Sequence, residues 1–221
     1  MKNLLAIMRR TKLFDGFSPK DCETILSIVK PNYKSFLKNE VLIQDGDMVN
    51  YVGLVCSGKI ITAKLDYEGN ASLLYMLEPP KTFGLEIAAT PTQISSITVT
   101  GAEATTVAIF PYTELTTEGR LSNEFRNKIM NNMLTLLANE NMRRMYKIEL
   151  LCHKSLRERV LTYLRFVARK KGTPSSFTIP FNRDQLAQYL NVNRSALSHE
   201  LALMQQEGLI TFFKNKFTLH I

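Results

Sequence analysis

The chain has 221 residues, 45% of them apolar and 22% charged, and a formal net charge of +8. That balance describes an ordinary soluble globular protein long enough for two cores, and no apolar run approaches the roughly 20 residues of a membrane span. Three scattered cysteines, Cys22, Cys56 and Cys152, imply no disulfide framework, and His153, His199 and His220 show no metal-ligand spacing.

The amino-terminal stretch MKNLLAIMRRTKLF mixes charges into a short apolar run and offers no signal-peptide cleavage site, so a cytoplasmic protein is expected. Ser18 as cap and Pro19 in the first turn predict a short helix from Pro19 to Val29. From Tyr33 to Phe110 the texture turns to β-rich runs: VLIQ, YVGLVC, KIITAKL, SLLYML, SITVT and TTVAIF. Turn signals separate them at Lys38-Asn39, Asp45-Gly46-Asp47, Ser57-Gly58, Glu68-Gly69-Asn70, Pro79-Pro80 and Thr100-Gly101. About eight strands folded into a β-roll or barrel are expected, followed by a short helix or turn over 112–119.

Ser122 opens a long helix running to about Leu151. Its first apolar stripe is Phe125, Ile129, Met133 and Leu136. A second is Met130, Leu134, Leu137, Asn141, Met145 and Ile148. Two stripes call for cover on two sides, one against the roll and the other against a second copy in a parallel coiled coil. Burial of a single wide face within one monomer is the alternative. After Cys152-His153-Lys154, Ser155 and Glu158 predict a second capping box and a helix to about Lys171. Adjacent residues on a helix do not face each other, so Cys152 and His153 are not read as a nucleophile and its base. The chain thus divides into a 1–120 roll, a 121–151 long helix suited to dimerisation and a 152–221 carboxyl-terminal domain.

Residues 182–210, NRDQLAQYLNVNRSALSHELALMQQEGLI, read as two short helices joined by a turn at Asn191-Val192. Asn182 caps the first with Gln185 closing a capping box, and Leu186 and Leu190 share its buried face beside the small Ala187. Asn193 caps the second, which buries Leu197, Leu201 and Met204. Asn193, Arg194, Ser195, Ser198 and His199 then face outward, side chains of the types that read base edges and phosphates. Gly208 ends the helix, and two strand-like runs around Lys214-Asn215-Lys216 make a basic-tipped wing. Residues 1–150 hold 17 basic and 16 acidic side chains, whereas 151–221 hold 11 and 4, so the positive excess travels with this motif. Together these features predict a DNA-binding winged helix-turn-helix.

Read end to end, the chain resembles the Crp/Fnr family of bacterial transcription regulators. The likeness is carried by LKNEVLIQDGD, YVGLVCSGKI and TFGLE in the roll and by the whole of 182–210. Asn39 stands where a glycine is usual, and Asn tolerates a positive φ. The resemblance implies an α+β protein: a cyclic-nucleotide-binding-like β-roll, a long dimerisation helix and a winged helix-turn-helix. It also implies that Arg194, Ser195, Ser198 and His199 face the groove and that Arg183 meets a phosphate. His199 stands where the family often has arginine, which changes the expected base preference.

The resemblance places an effector pocket at Phe83, Gly84, Leu85, Glu86, Ser95 and Ser96, with Arg144 and Met145 on the long helix. In cyclic-AMP-binding members a Gly-Glu turn and a later Arg-Ser pair hold the ribose and the phosphate. Here the glutamate is displaced by one and Ser95 stands in the arginine's place. No Lys or Arg occurs between Phe83 and Val107, so cyclic AMP is not expected. Neither is an iron–sulfur cluster, for want of an amino-terminal cysteine group, nor haem, since residues 1–150 contain no histidine. Expected partners are a second copy of the chain, double-stranded DNA with a palindromic operator and, for an activator, RNA polymerase. Two further readings stay open: a thiol-redox sensor using Cys22, Cys56 or Cys152, and an enzyme with an appended DNA-binding domain. The latter is disfavoured by a roll with no histidine and no metal set.

Overall fold

The computed structural model describes residues 2–65, 71–172 and 176–220. Helix α1 (Lys2–Met8) leads through a 3-10 turn at Lys12–Phe14 into α2 (Pro19–Val29). The α2 boundaries are those the cap predicts. Ser18 accepts from the Asp21 N–H, and the Asp21 carboxylate accepts from the Ser18 N–H at 2.8 Å. Strands β1 (Asn32–Phe36), β2 (Val41–Ile43), β3 (Tyr51–Ser57), β4 (Ile60–Leu65), β5 (Ala71–Leu77) and β6 (Thr82–Phe83) follow. After the one-turn helix α3 (Leu85–Ala88) come β7 (Thr98–Gly101), β8 (Thr105–Pro111) and α4 (Tyr112–Thr116). Among the described residues eight strands therefore form the roll, in two four-stranded sheets ordered β1-β8-β3-β6 and β2-β7-β4-β5. The expected turn at Glu68-Gly69-Asn70 lies outside the described residues.

Alternation along the strands divides the interior in two. Val52 and Leu54 of β3, with Ala108 and Phe110 of β8, face a core shared with Leu13, Phe14 and Ile25. Val55 and Val107 face the other way, against Ile43, Ile60, Leu77, Phe83 and Val99. Gly53 is glycine for a packing reason, because a Cβ there would strike the Phe83 ring. Asn39 takes φ 66°, the left-handed conformation its place in the β1–β2 turn demands.

Helix α5 (Asn123–Cys152) is the long helix. Ile129 and Met133 are fully buried in the first core with Phe125 and Leu136 beside them, so the first stripe does pack on the roll. Leu137, assigned from sequence to the second stripe, also joins this core at its edge. The rest of the second stripe is bare: Leu134 is 65% exposed, Met145 55% and Ile148 56%.

Contacts divide the chain into two units, residues 1–65 with 74–141 and residues 66–73 with 142–221, and α5 runs through both. In the second unit α6 (Leu156–Lys171), β9 (Phe177–Thr178), α7 (Arg183–Leu190), α8 (Arg194–Gln206), β10 (Ile210–Phe213) and β11 (Lys216–Leu219) follow in order. The strands pair β10-β11-β9, all antiparallel. Three aromatic rings meet at the centre: Tyr163 stacks on Phe181 at 5.9 Å, and Tyr189 lies 5.2 Å and 4.9 Å from them. On α6, Val160, Tyr163, Leu164 and Ala168 form the buried face, with Leu161 and Val167 half-buried beside it. The capping box expected at Ser155 is half formed. Its hydroxyl accepts from the Glu158 N–H at 3.1 Å, while the Glu158 carboxylate lies 3.9 Å from His153 Nδ1. No helix among the described residues is long and apolar enough to cross a membrane.

Candidate functional site

The helix-turn-helix is assembled by local chemistry. Asn182 Oδ1 accepts from the Gln185 N–H and Gln185 Oε1 accepts from the Asn182 N–H, both at 2.9 Å, so α7 begins where its box sits. Asn191 ends it in the left-handed conformation, φ 55°, which turns the chain sharply into α8. The carbonyl end of α7 is met by two cations from other helices. Lys147 donates to the Tyr189 carbonyl and Arg159 donates to the Leu190 carbonyl at 3.3 Å. Positive charge at that end also complements the helix dipole.

Leu197, Leu201 and Met204 are wholly buried and fix the rotation of α8. Arg194, Ser195, Ser198 and His199 are thereby exposed on the opposite side of its first two turns. Two of the sequence candidates are already engaged. Asn193 Oδ1 caps α8 by accepting from the Ala196 N–H at 2.8 Å, and it also accepts from Ser195 Oγ at 3.0 Å. That leaves Arg194, Ser198 and His199 as the outward-facing candidates. The Arg194 Nε lies 3.4 Å from the Asp184 carboxylate, an exposed pair that a phosphate or base would readily displace. Arg183 is half-buried with its guanidinium 4.9 Å from the Phe212 ring centroid, which joins the start of α7 to the wing. Burial, and secondarily Arg194, pulls its pKa below the usual arginine range.

Arg157 was not singled out by sequence, yet it anchors the reading helix. Its Nε donates to Glu200 at 2.7 Å, and its two terminal nitrogens donate to Glu207 at 2.6 and 2.9 Å. Glu200 lies on α8 and Glu207 caps its carboxyl end, and they raise the Arg157 pKa, Glu207 most. No short-range pattern reveals a pair 43 or 50 residues apart. Arg157→Met is expected to lower the thermal midpoint of the second unit. Its deficit should shrink as salt is added to both proteins, because the native pairs are partly exposed. A salt-independent deficit in calorimetry would mean that lost packing, rather than the ion pairs, is responsible.

In the roll, the pocket candidates split between opposite sides of a sheet. Phe83 and Leu85 are buried core residues, one in each core, and Gly84 makes the intervening turn at φ 79°. Glu86 is half-buried and accepts from the Tyr75 hydroxyl at 2.7 Å. Ser95 is buried and closes a local ring, donating to the Ile97 carbonyl at 2.8 Å and accepting from the Ile97 N–H at 3.2 Å. Ser96 is exposed, and its carbonyl accepts from Lys64 Nζ at 2.7 Å. Sequence finds no cation between Phe83 and Val107, but strand pairing brings one in, since Lys64 of β4 also contacts Asp45 at 2.7 Å. Arg144 and Met145 are exposed on the part of α5 that belongs to the second unit.

Cys22 is buried and Cys56 half-buried, and burial raises both thiols, which lowers their thiolate fraction. Cys152 is exposed at the last residue of α5. Among the described residues no three His, Cys, Asp or Glu side chains converge to hold a metal ion.

Comparison with known proteins agrees with this layout. Residues 158–220 match the model of the Crp-like helix-turn-helix domain, and residues 33–117 match that of the cyclic nucleotide-binding domain. The chain is 26% identical over 196 residues to the transcriptional activator protein FnrA of Stutzerimonas stutzeri, covering 86% of this chain and 77% of that one. Among solved structures it is similar to the c-di-GMP-responsive global regulator CLP of Xanthomonas campestris. The TM-score is 0.71 at 14% identity, over 92% of this chain and all of that one. FixK2 of Bradyrhizobium japonicum gives 0.67 at 18% identity, over 86% and 93%.

Proposed function

The chain belongs to the Crp/Fnr family of transcription regulators, and from that premise we propose that it is a sequence-specific, homodimeric DNA-binding regulator governed by an effector other than cyclic AMP. The observation that carries the DNA reading is the rotation of α8. Three buried apolar residues hold it so that Arg194, Ser198 and His199 point outward from its amino-terminal turns. A helix so presented enters the major groove with its amino-terminal residues against base edges. Two copies on one dimer, roughly 34 Å apart, would read a palindromic operator, and RNA polymerase is the partner through which an activator would act.

The effector reading rests on the roll. Cyclic nucleotide recognition needs a carboxylate open to sugar hydroxyls and a cation beside the phosphate. Here Glu86 is engaged by Tyr75, and Ser95 bonds to its own strand where the family resemblance puts the arginine. Lys64 is the nearby cation, and it holds Asp45 and the Ser96 carbonyl. An effector of different chemistry would shift the balance between binding-competent and incompetent dimers.

Selection of duplexes from a random library by the full-length protein, followed by fluorescence anisotropy with and without cyclic AMP, tests both parts. Specific binding that ignores cyclic AMP is expected. Arg194→Ala should cost about 1–3 kcal/mol per half-site and relax preference at one base position. A uniform loss across all sequences would reduce Arg194 to a phosphate contact. A requirement for cyclic AMP would overturn the effector reading.

A further inference from the structure

The wing presents a feature that a purely phosphate-binding hairpin does not need. Phe213, at the end of β10, is 74% exposed, the most exposed large apolar side chain among the described residues. It pairs across the hairpin with Lys216 and is followed by Lys214. Lys214 takes φ 53°, a conformation that glycine adopts freely and a lysine adopts at a cost. Its ammonium stands 5.5 Å from the centre of the Phe213 ring. The turn is also pinned from below. Asn215 donates through its side chain to the Ile179 carbonyl at 3.2 Å, and its own carbonyl accepts from the Ile179 N–H at 2.9 Å. Phe212 points the opposite way, under the Arg183 guanidinium and 5.7 Å from the Phe217 ring, so the hairpin is anchored on one face while Phe213 is displayed on the other. An exposed aromatic ring between two lysines, on a strained but fixed turn, is a device with a use.

Resting on the DNA-binding reading above, we propose that the wing tip enters the minor groove beside the recognition-helix contact, with Phe213 as an apolar wedge against the deoxyribose edges and Lys214 and Lys216 on the flanking phosphates. Charge selects the occupant. The tip carries two cations and an apolar ring, and the minor groove offers phosphates on both rims with apolar sugar edges between them. Wedges of this composition widen or kink the groove, so the wing adds shape readout to the base readout of α8.

The test uses the full-length protein and the duplex it selects from a random library. Phe213→Ala should bind about tenfold more weakly with the salt dependence unchanged, because an apolar contact releases no counterions. Lys214→Gly should bind more weakly with a shallower salt dependence, and should unfold at a higher temperature because the turn is relieved. Hydroxyl-radical footprinting should show minor-groove protection flanking the recognition site in the wild type that is absent in Phe213→Ala. The thermal midpoint of Phe213→Ala should not fall, since the ring is exposed. Unchanged affinity and footprint would overturn the wedge. Unchanged DNA binding with lost transcription would overturn it too and give the ring to a protein partner. Failure of the wild type to select any duplex would instead overturn the DNA-binding reading on which the wedge depends.

Discussion

Leu134→Asp should turn the protein into a monomer and lower its affinity for the selected duplex at least about a hundredfold. Met130, Leu134, Met145 and Ile148 lie along one side of α5 at steps consistent with a coiled-coil seam, and each is between 43% and 65% exposed. Exposed Asn141 interrupts the row where a polar residue would set register. Met142, 67% exposed, widens the apolar strip. Covering the exposed half of such side chains contributes about 1 kcal/mol apiece, and both helices contribute to the sum. An aspartate at the centre of that seam would be buried opposite its own copy, and like charges brought together in an apolar interface are costly. The monomer would grip one half-site and forgo the roughly 10²–10⁴ gain of bivalent binding. Sedimentation equilibrium and anisotropy read the two effects, with circular dichroism as the control for folding. A Leu134→Asp protein that remains dimeric would remove α5 from the interface.

The second large effect concerns Lys147. Burial pushes its ammonium down to about 7, against a ring face 3.4 Å away and the Tyr189 carbonyl, both of which favour the charged form. Below pH 7 the folded and unfolded states both hold the proton, so the cost of the buried charge is complete. As pH climbs from 7 toward the ordinary lysine value of 10.5, the folded state releases its proton while the unfolded state keeps it. Stability therefore rises with pH across that window. Linkage sets a ceiling of about 5 kcal/mol on the cost, and losing the carbonyl bond and the ring contact offsets about 3 of it. Lys147→Met should accordingly stabilise the second unit at pH 6 by about 2 kcal/mol, a rise in Tm of roughly 10 °C. By pH 9 the gain should vanish, because about half the cost is relieved by then. Measurements stop there because Tyr189 is pushed up to about 12 by burial, with Tyr146 and Tyr163 also raised. Above pH 10 the folded state holds protons on these tyrosines that the unfolded state loses, and stability falls. A variant advantage that does not change between pH 6 and 9 would mean that Lys147 keeps its proton in the folded protein across that range, as an unburied lysine does.

Lys147 shows why the sequence reading stopped where it did. On α5 it reads as one more solvated cation near Arg143 and Arg144. Only the packing of α7 over the carboxyl end of α5 makes it a buried group aimed at a helix terminus. Arg157, Lys64 and Tyr75 belong to the same class, since each meets a partner at least 11 residues away. The two-residue strands are another case. Thr82–Phe83 exists because β3 offers an edge, and Phe177–Thr178 because β11 does. Neither run is long enough to carry a period-2 signal. Gly84 likewise reads as part of a ligand turn, whereas its flanking Phe83 and Leu85 divide between two cores.

What the sequence by itself determined lies within a few residues of its cause. The capping boxes at Ser18 and Asn182 fix where two helices begin, because a side chain and an N–H three residues apart can meet in only one backbone geometry. The stripes of α5 and the buried row of α8 follow from a period of 3.6, which decides which residues share a face before any partner is present. Tertiary structure decided which of the two α5 stripes is covered by the roll, which side chains of α8 remain available, and where charge is buried. Those outcomes depend on what desolvates a group or accepts its proton. Such neighbours arrive from distant parts of the chain, by strand pairing and helix packing that leave no mark on the local spacing of residues.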